Sequence, residues 1–399
     1  MIYLNVKINQ QWRSTVKRTL PAIGLFTFMV FIVGLNLRPV MAAIGPLFTR
    51  IQQDIHLTAT QVSLLTSLPV IMMGLAALAG PLLLRWLGEV KGIASGLILL
   101  VLACLARGVS QQGLMLIASA LLAGIGIGLI QALMPALIKR RFTRHAGTLM
   151  ALFTTGIMAG AALAAASAAP LAARSGLALT LALPALPALL ALLLWRQMLR
   201  SHEPVEVQPR VQAINPRRTW LLLVFFGIGT GAYTLVLAWL PAFYQQHGWS
   251  ARQSGFLLGA LTLTEVVAGF VLSALIHRFP DRRRPLLLVL LLILAGLISL
   301  MMLGGEQAWL PTLLLGLGIG ALFPLSLIVT LDHARTAEQA GALLSMVQGG
   351  GYLLAALMPL IAGMVRDHAA SFDSAWALMS VGIVLLMGMA LRLRPQLMT

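Results

Sequence analysis

The stretch Gly124–Pro135, GIGIGLIQALMP, recurs in outline at Gly316–Pro324, GLGIGALFP, and the two copies start 192 residues apart. Each copy has glycines at three alternating positions and ends at a proline. Apart from Gln131 the residues are apolar or small, as in a helix that packs closely against other helices in a membrane. A long-range repeat of this kind indicates that the chain consists of two related halves.

Three further pairs of short motifs occur in the same order at a similar offset. Such a parallel duplication is one way in which transporters are built around a central site between repeats. The pairs lie 192, 195 and 194 residues apart: Thr58–Gln61 with Ser250–Gln253, Pro46–Phe48 with Pro241–Phe243, and Ala146–Leu149 with Ala340–Leu343.

The composition indicates an integral membrane protein. Hydrophobic residues make up 59% of the 399 residues, charged residues only 10%, and the mean hydropathy is +0.92. About 20 consecutive apolar residues span a bilayer as a helix. The first run is too long to be a cleaved signal peptide. Twelve runs qualify, six in each half: 20–46, 60–84, 92–109, 113–137, 147–170, 176–195, 219–243, 253–276, 285–303, 308–331, 340–363 and 373–391.

These runs predict an all-α membrane protein with two pseudo-symmetric six-helix halves. The halves are expected over 20–196 and 219–391, joined by a polar, proline-containing linker over 197–218. Residues 1–19 and 392–399 are predicted to be short tails. A monomer embedded in the lipid bilayer is expected.

The net charge of +17 is explained by membrane topology. We assign 22 of the 28 Lys and Arg residues to the side that holds both termini and the linker. The positive-inside rule then predicts a multi-pass protein of the cytoplasmic (inner) membrane with both termini cytoplasmic. No loop is long enough for a basic nucleic-acid-binding domain, so no nucleic-acid partner is expected. Five arginines are assigned to the opposite side: Arg50, Arg107, Arg174, Arg252 and Arg366.

Enzyme motifs are absent from the sequence. It contains no HExxH, GxxxxGK[ST] or GxSxG motif, and the glycine ladders lack the spacing of a dinucleotide-binding loop. The single cysteine, Cys104, excludes a disulfide framework and a cysteine-based metal cluster. We therefore predict no enzymatic activity, no metal site and no cofactor.

Two charged residues fall inside predicted spans, where a charge costs about 2.5–3.5 kcal/mol on insertion scales. Glu265 lies near the middle of the eighth run, and Arg38 lies in the outer half of the first. Such residues usually face a cavity or a partner. Two alternatives remain: Arg38 extends to the membrane surface, or Glu265 makes a buried packing hydrogen bond.

Polar and aromatic residues in other runs complete a predicted substrate pocket around Arg38. Each of them is by itself more typical of helix packing than of ligand contact. Together they would provide several hydrogen-bond donors for a small molecule. The residues are Asn36, Gln131, Tyr233, Trp239, Gln348 and Tyr352.

Several strings resemble the major facilitator superfamily and, within it, the cyanate-transporter family. The most specific is Gly124–Phe142, and the supporting strings are Asn36–Pro39, Ala238–Tyr244, Leu331–His333 and Gln348–Gly349. The resemblance covers both halves. It implies a twelve-helix transporter that carries cyanate or another small anion.

The same resemblance implies gating loops between spans two and three and between spans eight and nine. The superfamily motif is degenerate in the first loop, since Leu84 stands near the expected aspartate, which weakens the usual latch between halves. The residues that match are Arg85, Gly88 and Lys91 in the first loop and Arg278, Asp281 and Arg282 in the second.

The sequence thus favours a secondary active transporter of a small solute, with alternating access. Arg38 would bind the anion, and Glu265 would carry a coupling proton, because a protonated carboxyl is the cheaper form to bury. One alternative is export of a drug-like solute such as a nitroimidazole, which the family also includes. A non-transporting membrane sensor is a second alternative, but the short tails leave no room for a signalling domain.

Overall fold

The structure is a computed structural model that describes residues 24–109, 112–142, 145–200, 215–334, 336–369 and 372–393. The predicted N-terminal tail, most of the predicted linker and most of the predicted C-terminal tail lie outside these residues. Every regular element in the described chain is helical. Helix α1 covers residues 24–35, and a 3-10 turn, Ile276–Arg278, follows α11. The other helices are α2 (Pro39–Ala42), α3 (Phe48–Ile55), α4 (Ala59–Leu78), α5 (Gly80–Leu87), α6 (Glu89–Val109), α7 (Gly113–Arg141), α8 (Ala146–Ala182), α9 (Ala185–Arg200), α10 (Pro216–Gln246), α11 (Ala251–Leu275), α12 (Arg283–Leu303), α13 (Trp309–Asp332), α14 (Ala337–Ala355), α15 (Leu357–Ala369) and α16 (Asp373–Arg392).

Twelve membrane crossings follow from these helices. Eleven segments of the described chain are long and apolar enough to cross a membrane, and one of them, Ala146–Leu199, has 54 residues. That segment contains two crossings, because α8 turns at Gly176, where φ is 83° and ψ is 165°. Glycine adopts a positive φ without the steric cost that other residues incur. The predicted all-α fold with twelve spans in two halves is confirmed.

The repeated motifs have equivalent positions in the two halves. Thr58 begins α4 with a capping box, in which its side chain accepts from the Gln61 amide and the Gln61 side chain accepts from the Thr58 amide. Ser250 and Gln253 make the same two hydrogen bonds at the start of α11. The repeated four-residue motif therefore begins the second membrane crossing of each half.

The glycine ladders are helix-packing surfaces, as predicted. In α7, Gly124 and Gly128 face α4, whereas Gly126 faces α6. The three glycines of α13 face α11, α12 and α11 in the same order. Because glycine has no side chain, the backbones of these helices approach closely. The closest approach in α13 is at Gly320, which lies directly against the backbone of Glu265.

Candidate functional site

The first crossing is interrupted where Arg38 lies. α1 ends at residue 35, the chain turns through Asn36 and Arg38, and the single turn α2 begins at Pro39. Proline has no N–H to donate, so it is tolerated at the first turn of a helix but breaks a continuous one. Arg38 is buried beside this break, with 5% of its surface exposed. Arg38 thus lies inside the helix packing and does not extend to the protein surface.

The Arg38 guanidinium has only weak partners. Its Nη1 atom lies 3.7 Å from the Sδ atoms of Met41 and Met73, and thioether sulfur is a weak acceptor. The guanidinium carbon lies 5.4 Å from the centre of the Tyr233 ring, within the range of a cation–π contact. Nε has no hydrogen-bond partner, and among the described residues no carboxylate pairs with Arg38. The buried positive charge therefore has no ion-pair partner within 4.0 Å among the described residues.

Glu265 and Tyr233 also carry polar atoms without partners. Glu265 is 4% exposed in α11, and neither of its carboxylate oxygens accepts a hydrogen bond. The Tyr233 hydroxyl has no partner either. Arg38, Tyr233 and Glu265 line one cavity of about 280 Å³ and interact electrostatically across it. Since buried polar groups are nearly always hydrogen-bonded, these three side chains make the cavity a candidate site for a solute.

The cavity lies between the two halves and has mostly apolar walls. Arg38 and residues of α8 come from the first half, and residues of α10, α11 and α13 come from the second. Such a largely apolar pocket with a few convergent polar groups is typical of small-molecule sites. The aromatic residues of the wall are Phe225, Phe226, Phe270 and Phe323, and the hydroxyl residues are Thr154, Thr155, Thr230, Ser273 and Ser326.

The halves contact each other at one end of the bundle and also along α4 and α14, where Gly74 and Gly349 pack closely. We call the end where α9 stops and α10 starts the linker end, and the opposite one the far end. At the far end, the Gln245 side-chain amide donates to the Pro46 carbonyl at 3.2 Å. The Asp367 carboxylate, from the second half, accepts from the backbone N–H groups of Ala59 and Thr60, both at 2.9 Å. These contacts close the far end.

Toward the linker end, α8 and α11 separate. Near the far end Gly255 of α11 lies against the Ala165 backbone of α8. Nearer the linker end, Thr154 of α8 and Ser273 of α11 are exposed and line the cavity. The cavity therefore extends from Arg38 and Glu265 toward the linker end.

Of the predicted pocket residues, Arg38 and Tyr233 line the cavity and the others do not. The Asn36 amide donates to the carbonyls of Ile32 and Pro187, at 2.7 and 3.2 Å, so it joins α1 to α9. The Trp239 indole donates to the Pro359 carbonyl at 2.9 Å. Both contacts are typical of helix packing.

The remaining three predicted residues lie outside the wall. Tyr352 supports it from behind, since its ring packs edge-on against Phe226 with 5.4 Å between ring centres. Gln131 is half-buried, and its side-chain oxygen has no partner. Gln348 is half-buried in α14.

In the second loop, the predicted gating residues Asp281 and Arg282 make contacts within their own half, and Arg278 is exposed. Arg282 pairs with Asp332 at 3.0 Å, and Asp281 pairs with Arg283 at 2.7 Å. The hydrogen bonds from Arg283 lower the pKa of Asp281 to about 2.

In the first loop Arg85 and Lys91 are exposed, and Gly88 has a positive φ of 66°. An ion pair that could not be predicted from the sequence lies next to this loop: the buried Glu89 pairs with Arg140 at 2.7 Å.

The sequence analysis also missed most of the cavity wall. The phenylalanines and hydroxyl residues of the wall are of types that occur throughout membrane helices, so no local pattern distinguishes them. Met73, which contacts Arg38 and is not part of the wall, could have been found, because the 192-residue offset that relates the glycine ladders also relates Met73 to Glu265.

Comparison with known proteins identifies relatives over most of the chain. The family description of the Major Facilitator Superfamily matches residues 23–356. The cyanate transport protein CynX of Escherichia coli (strain K12) is 39% identical over 335 residues, which cover 82% of this chain and 86% of the relative. The 2-nitroimidazole transporter of the same organism is 31% identical over 340 residues, or 82% and 84% of the two chains.

A solved structure supports the fold. The D-xylose-proton symporter superposes with a TM-score of 0.75 at 14% identity, over 92% of this chain and 97% of that one. The predicted family resemblance is confirmed by these matches. The protein is a multi-pass membrane transporter of a small solute and not an enzyme. The chain belongs to the major facilitator superfamily and, within it, to the family of the cyanate transport protein.

Proposed function

We propose that the protein is a proton-coupled secondary transporter that carries a small anion such as cyanate across the inner membrane by alternating access. The observation that carries this proposal is the Arg38 guanidinium, which is buried beside the cavity with no ion-pair partner among the described residues. An anion in the cavity would compensate this charge. The similarity to the cyanate transport protein supports the choice of anion.

The Tyr233 hydroxyl would help to bind the anion. It lines the same cavity and has no partner in the protein, so it is free to donate to a substrate oxygen or nitrogen. Because the site is largely removed from water, an ionic hydrogen bond there is stronger than in bulk solvent.

Glu265 would carry the coupling proton. Its ionised form is costly in the apolar site unless Arg38, water or substrate lies nearby, whereas its protonated form is cheaper to bury. When an anion binds to Arg38, it neutralises the positive charge that would otherwise stabilise the ionised carboxylate of Glu265. Anion binding would therefore favour protonation of Glu265, and the two would cross the membrane together.

The two halves, 20–196 and 219–391, would move against each other around this site. We place both termini and the 197–218 linker in the cytoplasm, because the basic residues cluster at that end. The structure is then an inward-facing state, since its cavity extends toward the linker end and its far end is closed.

The test is uptake of labelled cyanate into proteoliposomes with an imposed pH gradient. Arg38→Ala should abolish uptake, and Arg38→Lys should transport poorly, because an ammonium group lacks the planar fork of guanidinium. Arg174→Ala is the matched control, because Arg174 is exposed near the turn at Gly176, away from the cavity. Wild-type uptake by Arg38→Ala would refute the proposal.

A second candidate substrate is a neutral planar solute such as a nitroimidazole. The cavity favours it in one respect: three non-hydrogen atoms, at about 30 Å³ each, the share of one water molecule, fill only about a third of its volume of about 280 Å³. Aromatic walls suit stacking of a flat ring. In this case 2-nitroimidazole transport should survive Arg38→Ala and fail in Glu265→Ala, whereas transport of an anion should fail in Arg38→Ala.

A further inference from the structure

A second buried arginine, Arg107, lies outside the cavity. The sequence analysis assigned it to the surface opposite the linker, but it is 1% exposed inside the helix packing of the first half. Among the described residues no carboxylate pairs with it. An arginine that is buried without an acid must be stabilised by neutral acceptors, and these acceptors indicate what it does.

The first acceptor is the carbonyl of Val40, in the interrupted part of the first crossing. The Arg107 Nη1 atom donates to this oxygen at 2.7 Å. In a continuous helix the amide of Ile44 would bond to Val40, but here it bonds to the Met41 carbonyl. The interruption therefore leaves the Val40 carbonyl without a helical partner, and Arg107 replaces that partner.

The second acceptor joins another helix to the same point. Arg107 Nε donates to the Ser119 hydroxyl of α7 at 3.1 Å, and Ser119 donates to the Leu116 carbonyl at 2.6 Å. Arg107 itself belongs to α6. One guanidinium thus links α6 and α7 to the single turn α2, whose N-cap residue is Arg38.

We infer that Arg107 is a positioning residue that holds the 36–44 segment and thereby places the Arg38 guanidinium in the cavity. This inference rests on the proposed role of Arg38 in binding. Only Pro39 separates Arg38 from Val40, so a rotation of this short turn moves the Arg38 side chain directly. The weak contacts of Arg38 with two methionines cannot hold it if the backbone loosens.

The experiment compares Arg107→Met with wild type and with Ser119→Ala. Methionine fills similar space without a charge or a donor. Ser119→Ala removes one contact of Arg107 but keeps the hydrogen bond to Val40, and so it is the matched control. If Arg107→Met does not fold, Arg107→Gln is used, because its shorter neutral side chain does not reach Val40.

The first measurement needs no substrate: amide hydrogen exchange followed by mass spectrometry on the purified protein. In Arg107→Met, exchange over residues 36–47 should accelerate by on the order of tenfold, while exchange in α12 of the other half stays unchanged. Equal exchange in wild type and variant, or a uniform increase over all helices, would show that Arg107 does not specifically hold this segment and would overturn the inference.

The second measurement is transport kinetics with cyanate and with 2-nitroimidazole as probes. The KM for cyanate should rise on the order of tenfold, while the maximal rate per folded protein changes little, because misplacement of a binding group by about 1 Å has effects of this size or larger. Ser119→Ala should keep the wild-type KM. An unchanged KM in a variant whose 36–47 segment exchanges faster would overturn the link to Arg38. If wild type carries neither probe, the proposed function fails, and hydrogen exchange alone decides the role of Arg107.

Discussion

Gly320 offers the sharpest test of how the helices position Glu265. A methyl group added at Gly320 would lie 2.7 Å from the carbonyl carbon of Glu265, and closer still to its Cα and carbonyl oxygen. All three neighbours are backbone atoms, so no side-chain rotation can relieve the contact. To reach the ordinary separation of 3.4 Å, the carbonyl carbon must move by about 0.7 Å, and the Cα and the carbonyl oxygen, which are closer, must move further.

The consequence of Gly320→Ala is therefore displacement of Glu265 together with a loss of stability. Overpacking typically costs about 1–3 kcal/mol, and a contact between two backbones belongs at the upper end of that range. We expect a lower melting temperature in detergent, and a fall in proton-driven transport larger than the loss of folded protein explains. The assays are thermal unfolding and uptake into proteoliposomes per amount of folded protein.

Two glycines provide controls for this variant. Gly269→Ala changes the same interface, but its nearest neighbour would be the Gly320 carbonyl oxygen at 3.7 Å, an ordinary contact. Gly388→Ala meets nothing within 4 Å. Gly388→Ala should melt and transport like wild type, and Gly269→Ala, which adds a methyl group at the cavity wall, should melt like wild type. If Gly320→Ala also melted and transported like wild type, the two helices would not be in the close contact described here, and the reasoning would be refuted.

Three further predictions concern coupling, gating and topology. Glu265→Gln mimics the protonated state and should keep substrate exchange but lose accumulation against a gradient; unchanged accumulation with the same pH dependence would make Glu265 structural. Asp367→Asn removes a charge that stabilises the start of α4 by about 0.3–1 kcal/mol, so spin-label distances across the far end should shift toward longer values, and an unaltered distribution would contradict this. Reporter fusions at Gln208 and Gly305 should report opposite sides of the membrane; signals from the same side would contradict the twelve-span count.

The fold could be predicted because its causes are local and repeated. A membrane helix needs about 20 apolar residues, and this requirement is visible in each run separately. The capping residues Thr58 and Ser250 mark two helix starts, and the glycine ladders mark close packing. The sequence analysis also separated the crossings that meet at Gly176, because the two apolar runs on either side are each long enough to span a bilayer.

The site could be predicted only where the chemistry is unusual for a membrane. Arg38 and Glu265 are conspicuous in any apolar helix, and both line the cavity. Asn36 was included in the predicted pocket because it is polar. Which neighbours a polar residue contacts depends on how its helix is rotated about the helix axis, and the Asn36 side chain faces the Pro187 carbonyl. For the same reason Arg107 was placed at the surface, although α7 and α2 supply acceptors that allow its burial.

The duplication explains how an asymmetric site arises in a symmetric frame. The 195-residue offset relates Arg38 to Tyr233, and the 192-residue offset relates Met73 to Glu265. In the structure Arg38 contacts both Tyr233 and Met73. If the second repeat also had an arginine at position 233, two buried cations would face each other, and this arrangement would be strongly unfavourable. Divergence at these equivalent positions therefore gives the cavity one cation and one carboxyl, the two groups that the proposed anion and proton coupling would use.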